Sequence, residues 1–158
     1  MSRFGLYIHI PYCPAKCRYC DFYSAPGCRA VPQAYVDALL RELAGCPRRP
    51  DTVYFGGGTP GLLSPAQVGR LLAAADPLLG AEITLETNPD VVTPERLAGF
   101  REAGVNRLSL GVQSARNDQL RRLGRTHTAA GAAAALRAAR QAGFTELCGD
   151  IMLALPHY

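Results

Sequence analysis

The sequence predicts an α/β fold built on a parallel sheet, and three observations carry that expectation. Short β-rich runs alternate with helical stretches five times along the 158 residues. The helical stretches carry an apolar face of helical period, and helix start and stop residues fall between the two kinds of run. Strands joined by helical crossovers lie parallel, so the sheet is either doubly wound or curls toward a barrel. In both arrangements chemistry gathers at the carboxyl ends of the strands.

The β-rich runs are FGLYIHI (4–10), TVYF (52–55), EITLET (82–87), RLSLGV (107–112) and ELCGDIMLAL (146–155). After the first, Val36, Leu39, Leu40 and Leu43 recur at i, i+3, i+4 and i+7, and Gly45 stands where a helix C-terminus prefers glycine. Val68, Leu71, Leu72 and Ala75 repeat the pattern, opened by Ser64 as N-cap, Pro65 at the first helical position and Gln67 as capping-box partner. Thr93 and Pro94 open the next helix and Gly104 stops it. The alanine-rich stretch 129–143 is helical by propensity and ends at Gly143. LPHY follows the last run directly, and a closed eight-stranded barrel would need about three more strand–helix units. Residues 1–158 are therefore expected to form a partial barrel or the front part of a longer protein.

Apolar residues make up 48% of a chain long enough for one domain with a real core. The first six residues hold one Arg and no long apolar stretch, and no segment has the 18 or so apolar residues that span a bilayer. The expected location is the cytoplasm. Thiols stay reduced there, so the six cysteines read as metal ligands or redox groups before disulfides. The net charge of +4 comes almost wholly from Arg, Lys16 being the only lysine. Its local concentration at Arg116, Arg121, Arg122 and Arg125 reads as a solvated helix face, and no nucleic-acid partner is expected.

CPAKCRYC places Cys13, Cys17 and Cys20 in the loop after the first strand, on the active rim of a parallel sheet. Three readings compete. A structural zinc site needs four protein ligands, with Cys28 the nearest candidate for the fourth. A thiol redox pair needs only CxxC and leaves Cys13 without a role. An iron–sulfur cluster on three cysteines leaves one iron free to bind a small molecule, and soft thiolates at spacings of three and two let one loop wrap a cuboidal cluster. Tyr12 and Tyr19 flank the cysteines and offer either an aromatic surface for a planar ligand or ordinary loop packing.

YFGGGTP follows the second strand, where consecutive glycines let the backbone approach a ligand and present its N–H groups. It is neither a P-loop nor a dinucleotide fingerprint. Glu86, Gln113 and Asp150 stand late on successive strands that otherwise read as buried. Each needs a partner or a ligand there, either an Arg on the rim or something bound in a shared pocket. His9, between Ile8 and Ile10, reads as a packed, hydrogen-bonded histidine. Cys28, Cys46 and Cys148 read as small, partly buried residues, and His127 and His157 carry no local signal.

YIHIPYCPAKCRYCDFYS, FGGGTP, EITLETNPD, GVNRLSLGVQS, LGRTH and DIMLALP, in this order, resemble the radical S-adenosylmethionine (SAM) group that contains oxygen-independent coproporphyrinogen III oxidase and the HemW heme chaperones. The similarity runs from Leu6 to Pro156, and the motifs are highly specific as a set. It implies a partial (β/α) barrel of the TIM-like radical SAM type, with residues 1–158 the N-terminal part of the core and the C-terminal domain lying beyond them. It implies a [4Fe-4S] cluster on Cys13, Cys17 and Cys20, with SAM chelating the open iron. Electron transfer into the sulfonium would then yield methionine and a 5′-deoxyadenosyl radical. Tyr7, Tyr19, Gly57, Gly58, Thr59 and Glu86 fall where relatives contact SAM. Gln113, Arg125 and Asp150 match further pocket positions, which in the oxidase hold a second SAM.

Two features separate the branches of this group. The oxidases add a fourth cysteine two residues after the third and an extension before the first strand. Here that residue is Phe22, and the strand begins almost at Met1. Both features favour the HemW branch, with heme as a further ligand of the full-length protein and a heme-acceptor client as partner. The alternatives are oxidative decarboxylation of coproporphyrinogen III and a zinc-stabilised binding module.

Overall fold

The computed structural model describes residues 3–155; His157, which carried no signal, lies outside them. Five strands form one sheet: β1 (Gly5–Ile10), β2 (Thr52–Gly57), β3 (Glu82–Thr87), β4 (Arg107–Gln113) and β5 (Glu146–Ile151). They pair in sequence order, β1-β2-β3-β4-β5, and every pair is parallel. This order decides between the two architectures. A doubly wound sheet reverses its strand order and so covers both faces, whereas sequential crossovers of one hand put every helix on the same face. The sheet is a section of barrel wall with helices outside.

The helices are α1 (Gln33–Leu43), α2 (Pro65–Ala75), α3 (Pro94–Glu102), α4 (Asn117–Arg122) and α5 (Ala129–Gln141). A 3-10 turn at Pro60–Leu62 follows β2. Ile8, Ile10, Val53, Phe55, Leu85, Leu108 and Leu110 alternate onto one side of the sheet and pack against Val36, Val68, Leu71, Leu97, Phe100 and Ala139. Burying each large side chain contributes roughly 1.5–3 kcal/mol. The intervening residues, Tyr7, His9, Tyr54, Thr84, Glu86 and Ser109, form the other face, which is polar and carries no helix.

Helix ends follow the expected chemistry at most positions. Ser64 and Gln67 make both hydrogen bonds of a capping box, and Thr93 accepts from the Arg96 N–H. Gly104 and Gly143 take the left-handed conformation, with φ of 110° and 89°. Gly45 does not: α1 ends through right-handed Ala44, and the Gly45 N–H bonds to the Glu42 carbonyl. Asp76 supplies the left-handed cap of α2 instead.

Two strands differ in length from the sequence reading. β2 continues through Gly56 and Gly57, which pair with His9 and Ile10. A Cβ on Gly56 would lie 2.7 Å from the Tyr7 ring, so the glycine lets the aromatic lie against the strand. β5 stops at Ile151 rather than 155. Its partner β4 ends at Gln113, held at φ 63° beyond an irregularity in the ladder, and Met152 N–H makes the closing bond to the Gln113 carbonyl. Without a partner the apolar run no longer extends as strand, and Ile151 and Leu153 are exposed.

Candidate functional site

The loop after β1 is tied down by backbone. Cys13 N–H bonds to the Ala25 carbonyl, Cys28 N–H to the Cys13 carbonyl and Cys20 N–H to the Cys17 carbonyl, while Arg18 N–H reaches the Leu123 carbonyl beyond α4. On the facing side Gly58 N–H bonds to the Ile10 carbonyl and Thr59 N–H to the Tyr12 carbonyl. A Cβ on Gly58 would approach the Cys13 sulfur to 3.0 Å, so this glycine lets the second rim loop close onto the first. The Lys16 ammonium folds back within the loop and donates to the Phe22 carbonyl at 2.8 Å.

Between this loop and the strand ends lies a cavity of about 160 Å³. Cys13, Cys17 and Cys20 all line it, with Tyr19, Gly57, Gly58, Thr59, Glu86, Gln113, Arg125 and Asp150. Tyr7 is the one candidate outside the lining. It stands lower on the open face, 56% exposed, stacked on Tyr54 at 6.0 Å, with its hydroxyl 3.4 Å from His9 Nδ1. His9 is half-buried and also faces the Tyr23 carbonyl at 3.3 Å, the packed role expected of it. Tyr12 turns away from the cavity and sets its ring edge-on to Tyr35.

The carboxylates find partners other than arginine. Glu86 accepts from the Tyr54 hydroxyl at 2.6 Å and from Gly57 N–H at 3.3 Å. Asp150 accepts from the Ser109 hydroxyl at 3.3 Å. The expectation that Asp150 is buried fails, because β5 is an edge strand and leaves it exposed. Arg125 departs from the solvated face expected of its arginine run. Arg121 and Arg122 are exposed, but Arg125 turns into the cavity, donating to Asn88 Oδ1 and the Gly111 carbonyl at 2.7 Å each and to the Cys17 sulfur at 3.4 Å. Thr59 donates to the Cys13 sulfur at 3.6 Å.

Burial first shapes the tyrosine acidities. It pushes the Tyr19 phenol up to about 12, with Arg125 opposing and Cys17 adding to the shift, so Tyr19 is a neutral hydroxyl at physiological pH. Burial and then the hydrogen bond to Glu86 raise Tyr54 as well.

All six cysteines are free thiols. Among the described residues no three His, Cys, Asp or Glu side chains converge on one metal ion, and Cys28 faces the Pro26 carbonyl outside the cavity lining. The zinc reading gains no geometric support. A cuboidal cluster instead takes each thiolate at a separate corner, so its ligands stand farther apart than around a single ion. Three thiols lining one cavity, with donors directed at two of the sulfurs, fit that group.

Sequence reasoning missed Asn88, Ser109 and Lys16, which also line the cavity, as does Phe22, singled out in the sequence only as a marker of the branch. Ser109 was within reach, since strand alternation and its register opposite Glu86 put it on the same face. Asn88 lies just past the end of β3 in a turn, and no periodicity marks it.

Known proteins resemble the chain over most of its length. The heme chaperone HemW of Escherichia coli K12 is 43% identical, the alignment covering 96% of this chain and 43% of that protein. The mitochondrial radical S-adenosyl methionine domain-containing protein 1 of Bos taurus is 40% identical, over 98% of this chain and 37% of that one. Among solved structures, the coproporphyrinogen III oxidase HemN from Escherichia coli superposes with a TM-score of 0.82 at 30% identity, covering 99% of this chain and 38% of the enzyme. The chain thus spans about two fifths of the length of such relatives. The family profile described as the Radical SAM superfamily matches residues 7–158, nearly the whole sequence, and the chain belongs to that superfamily.

Proposed function

We propose that residues 1–158 are the N-terminal part of the core domain of a HemW-like protein, which carries heme to client proteins in the cytoplasm. In this reading Cys13, Cys17 and Cys20 hold a [4Fe-4S] cluster whose remaining iron is open to SAM. Gly57 and Gly58 let the backbone approach the ligand closely, although their N–H groups are taken by Glu86 and the Ile10 carbonyl rather than presented to it as the sequence suggested, and Thr59 borders the ligand. Glu86 accepts from its hydroxyls, Tyr19 walls off water, and Gln113, Arg125 and Asp150 complete the pocket. Tyr7 contributes from the open face below. When bound, the cluster supplies one electron to the sulfonium of SAM; this chain's residues bind, orient and exclude solvent.

The observation that carries the HemW reading is Phe22. It stands two residues after Cys20, where the resemblance puts a fourth cysteine in the oxidases, and it lines the cavity. The greater identity to HemW, 43% against 30% for the oxidase, supports the same branch. No described helix is long and apolar enough to cross a membrane.

The test is anaerobic incubation of the reconstituted full-length protein with SAM and reductant, once with coproporphyrinogen III and once with heme plus an apo-heme acceptor. Heme transfer without protoporphyrinogen formation is expected. Accumulation of protoporphyrinogen IX would overturn the chaperone reading in favour of the oxidase.

A further inference from the structure

Arg125 lines the cavity without pairing to either of its carboxylates, Glu86 or Asp150. Among the described residues Arg125 joins no ion pair, and its Nε is buried without a hydrogen-bond partner. A guanidinium stays charged at any working pH, and withdrawing it from water costs free energy unless negative charge meets it. What it meets here is sulfur: Nη1 donates to Cys17 Sγ, while Nη2 is fixed by the Gly111 carbonyl and Asn88 Oδ1.

The arrangement continues beyond one pair. The Asn88 amide donates to Thr59 Oγ1 at 3.2 Å, and the Thr59 hydroxyl donates to Cys13 Sγ. A connected set of side chains from three separate rim segments thus ends on two of the three clustered sulfurs. Gly111 makes room for it, since a Cβ there would lie 3.1 Å from Arg125 Nη2 and 3.2 Å from Asn88 Oδ1.

We propose that Arg125, with Asn88 and Thr59, is a positioning network for the thiolates of Cys17 and Cys13, and that it raises the reduction potential of the cluster they hold. The inference rests on the cluster reading above. Hydrogen bonds and positive charge at thiolate sulfur favour the reduced cluster, which carries one more negative charge, over the oxidised one. Arg125 therefore serves the metal side of the cavity as well as its ligand side.

The experiment compares wild type with Arg125→Met, Thr59→Val and, as a surface-charge control, Arg121→Met. Each protein is reconstituted anaerobically, assayed for iron and sulfide, and titrated with dithionite while the reduced cluster is followed by electron paramagnetic resonance. With about four irons per chain retained, Arg125→Met should lower the midpoint by at least a tenfold change in the redox ratio, about 59 mV for one electron. Thr59→Val, nearly isosteric and lacking only the donor, should shift it less in the same direction, and Arg121→Met should not. A wild-type potential in a fully loaded Arg125→Met protein overturns the inference. If that variant loads poorly, an unchanged potential in Thr59→Val overturns it instead. Failure of the wild type to take up iron and sulfide would sink the cluster reading itself, a separate result.

Discussion

Single positions on the rim tolerate little change. A Cβ on Gly58 would lie 2.7 Å from the Tyr12 carbonyl oxygen and 2.9 Å from that of Ile10, and both are backbone atoms that cannot swing aside. Gly58→Ala should therefore destabilise the fold by about 1–3 kcal/mol in urea denaturation; an unchanged midpoint would show that the two loops part easily. Tyr54 illustrates a different dependence. Its pKa in the folded chain is raised above the ordinary 10.0 by burial and by its bond to Glu86. The unfolded chain releases that proton first as pH rises, so the contribution is whole below about pH 10 and is lost as pH climbs toward the folded value. Tyr54→Phe should flatten the alkaline fall of thermal stability, and an identical pH profile would contradict this. The cysteines, the glycines and Glu86 were legible because motif spacing or strand position marks them. Asn88 was not: what distinguishes it is a tertiary bond to Arg125, 37 residues away in sequence.

Elements were legible wherever local chemistry decides them. Ser64, Pro65 and Gln67 state the start of α2 in the sequence, and both bonds of the capping box form. Ser64→Ala should cost about 1 kcal/mol, read as a lower thermal or denaturant midpoint. No loss at all would mean that packing of Val68, Leu71 and Leu72 alone holds the helix. Strand ends were less legible, because a neighbour fixes them. β2 gains two glycines by pairing with His9 and Ile10, and β5 loses its apolar tail where β4 ends at Gln113. Hydrophobicity reports that a segment prefers burial, but a ladder needs a partner of matching length. Arg125 shows the same limit of local pattern: charge spacing grouped it with a solvated face, only the resemblance pointed to the pocket, and the turn after α4 sends it inward.

At the scale of the molecule, one side of the wall is covered by helices and the other is open. Alternation of strand and helix predicted the parallel sheet and left barrel and double winding open; the family resemblance implied a partial barrel, and the strand order bears it out. Tyr7, Phe22, Tyr23, Ile151 and Leu153 are exposed, and β5 pairs only with β4 among the described strands. An edge of this kind offers free backbone groups to another chain. The 158-residue chain should self-associate with rising concentration in sedimentation velocity, and Ile151→Lys should weaken that association; a monomer at every concentration would contradict it. The open face leads up to the cavity where three thiols meet SAM in the proposed function, and that meeting is the central claim. Its most direct measurement is the electron paramagnetic resonance spectrum of the anaerobically reconstituted, dithionite-reduced protein with and without SAM. The account predicts a [4Fe-4S] signal whose g-values move when SAM binds the open iron, and that disappears in Cys17→Ala. A signal indifferent to SAM, or one that survives unchanged in Cys17→Ala, would contradict it.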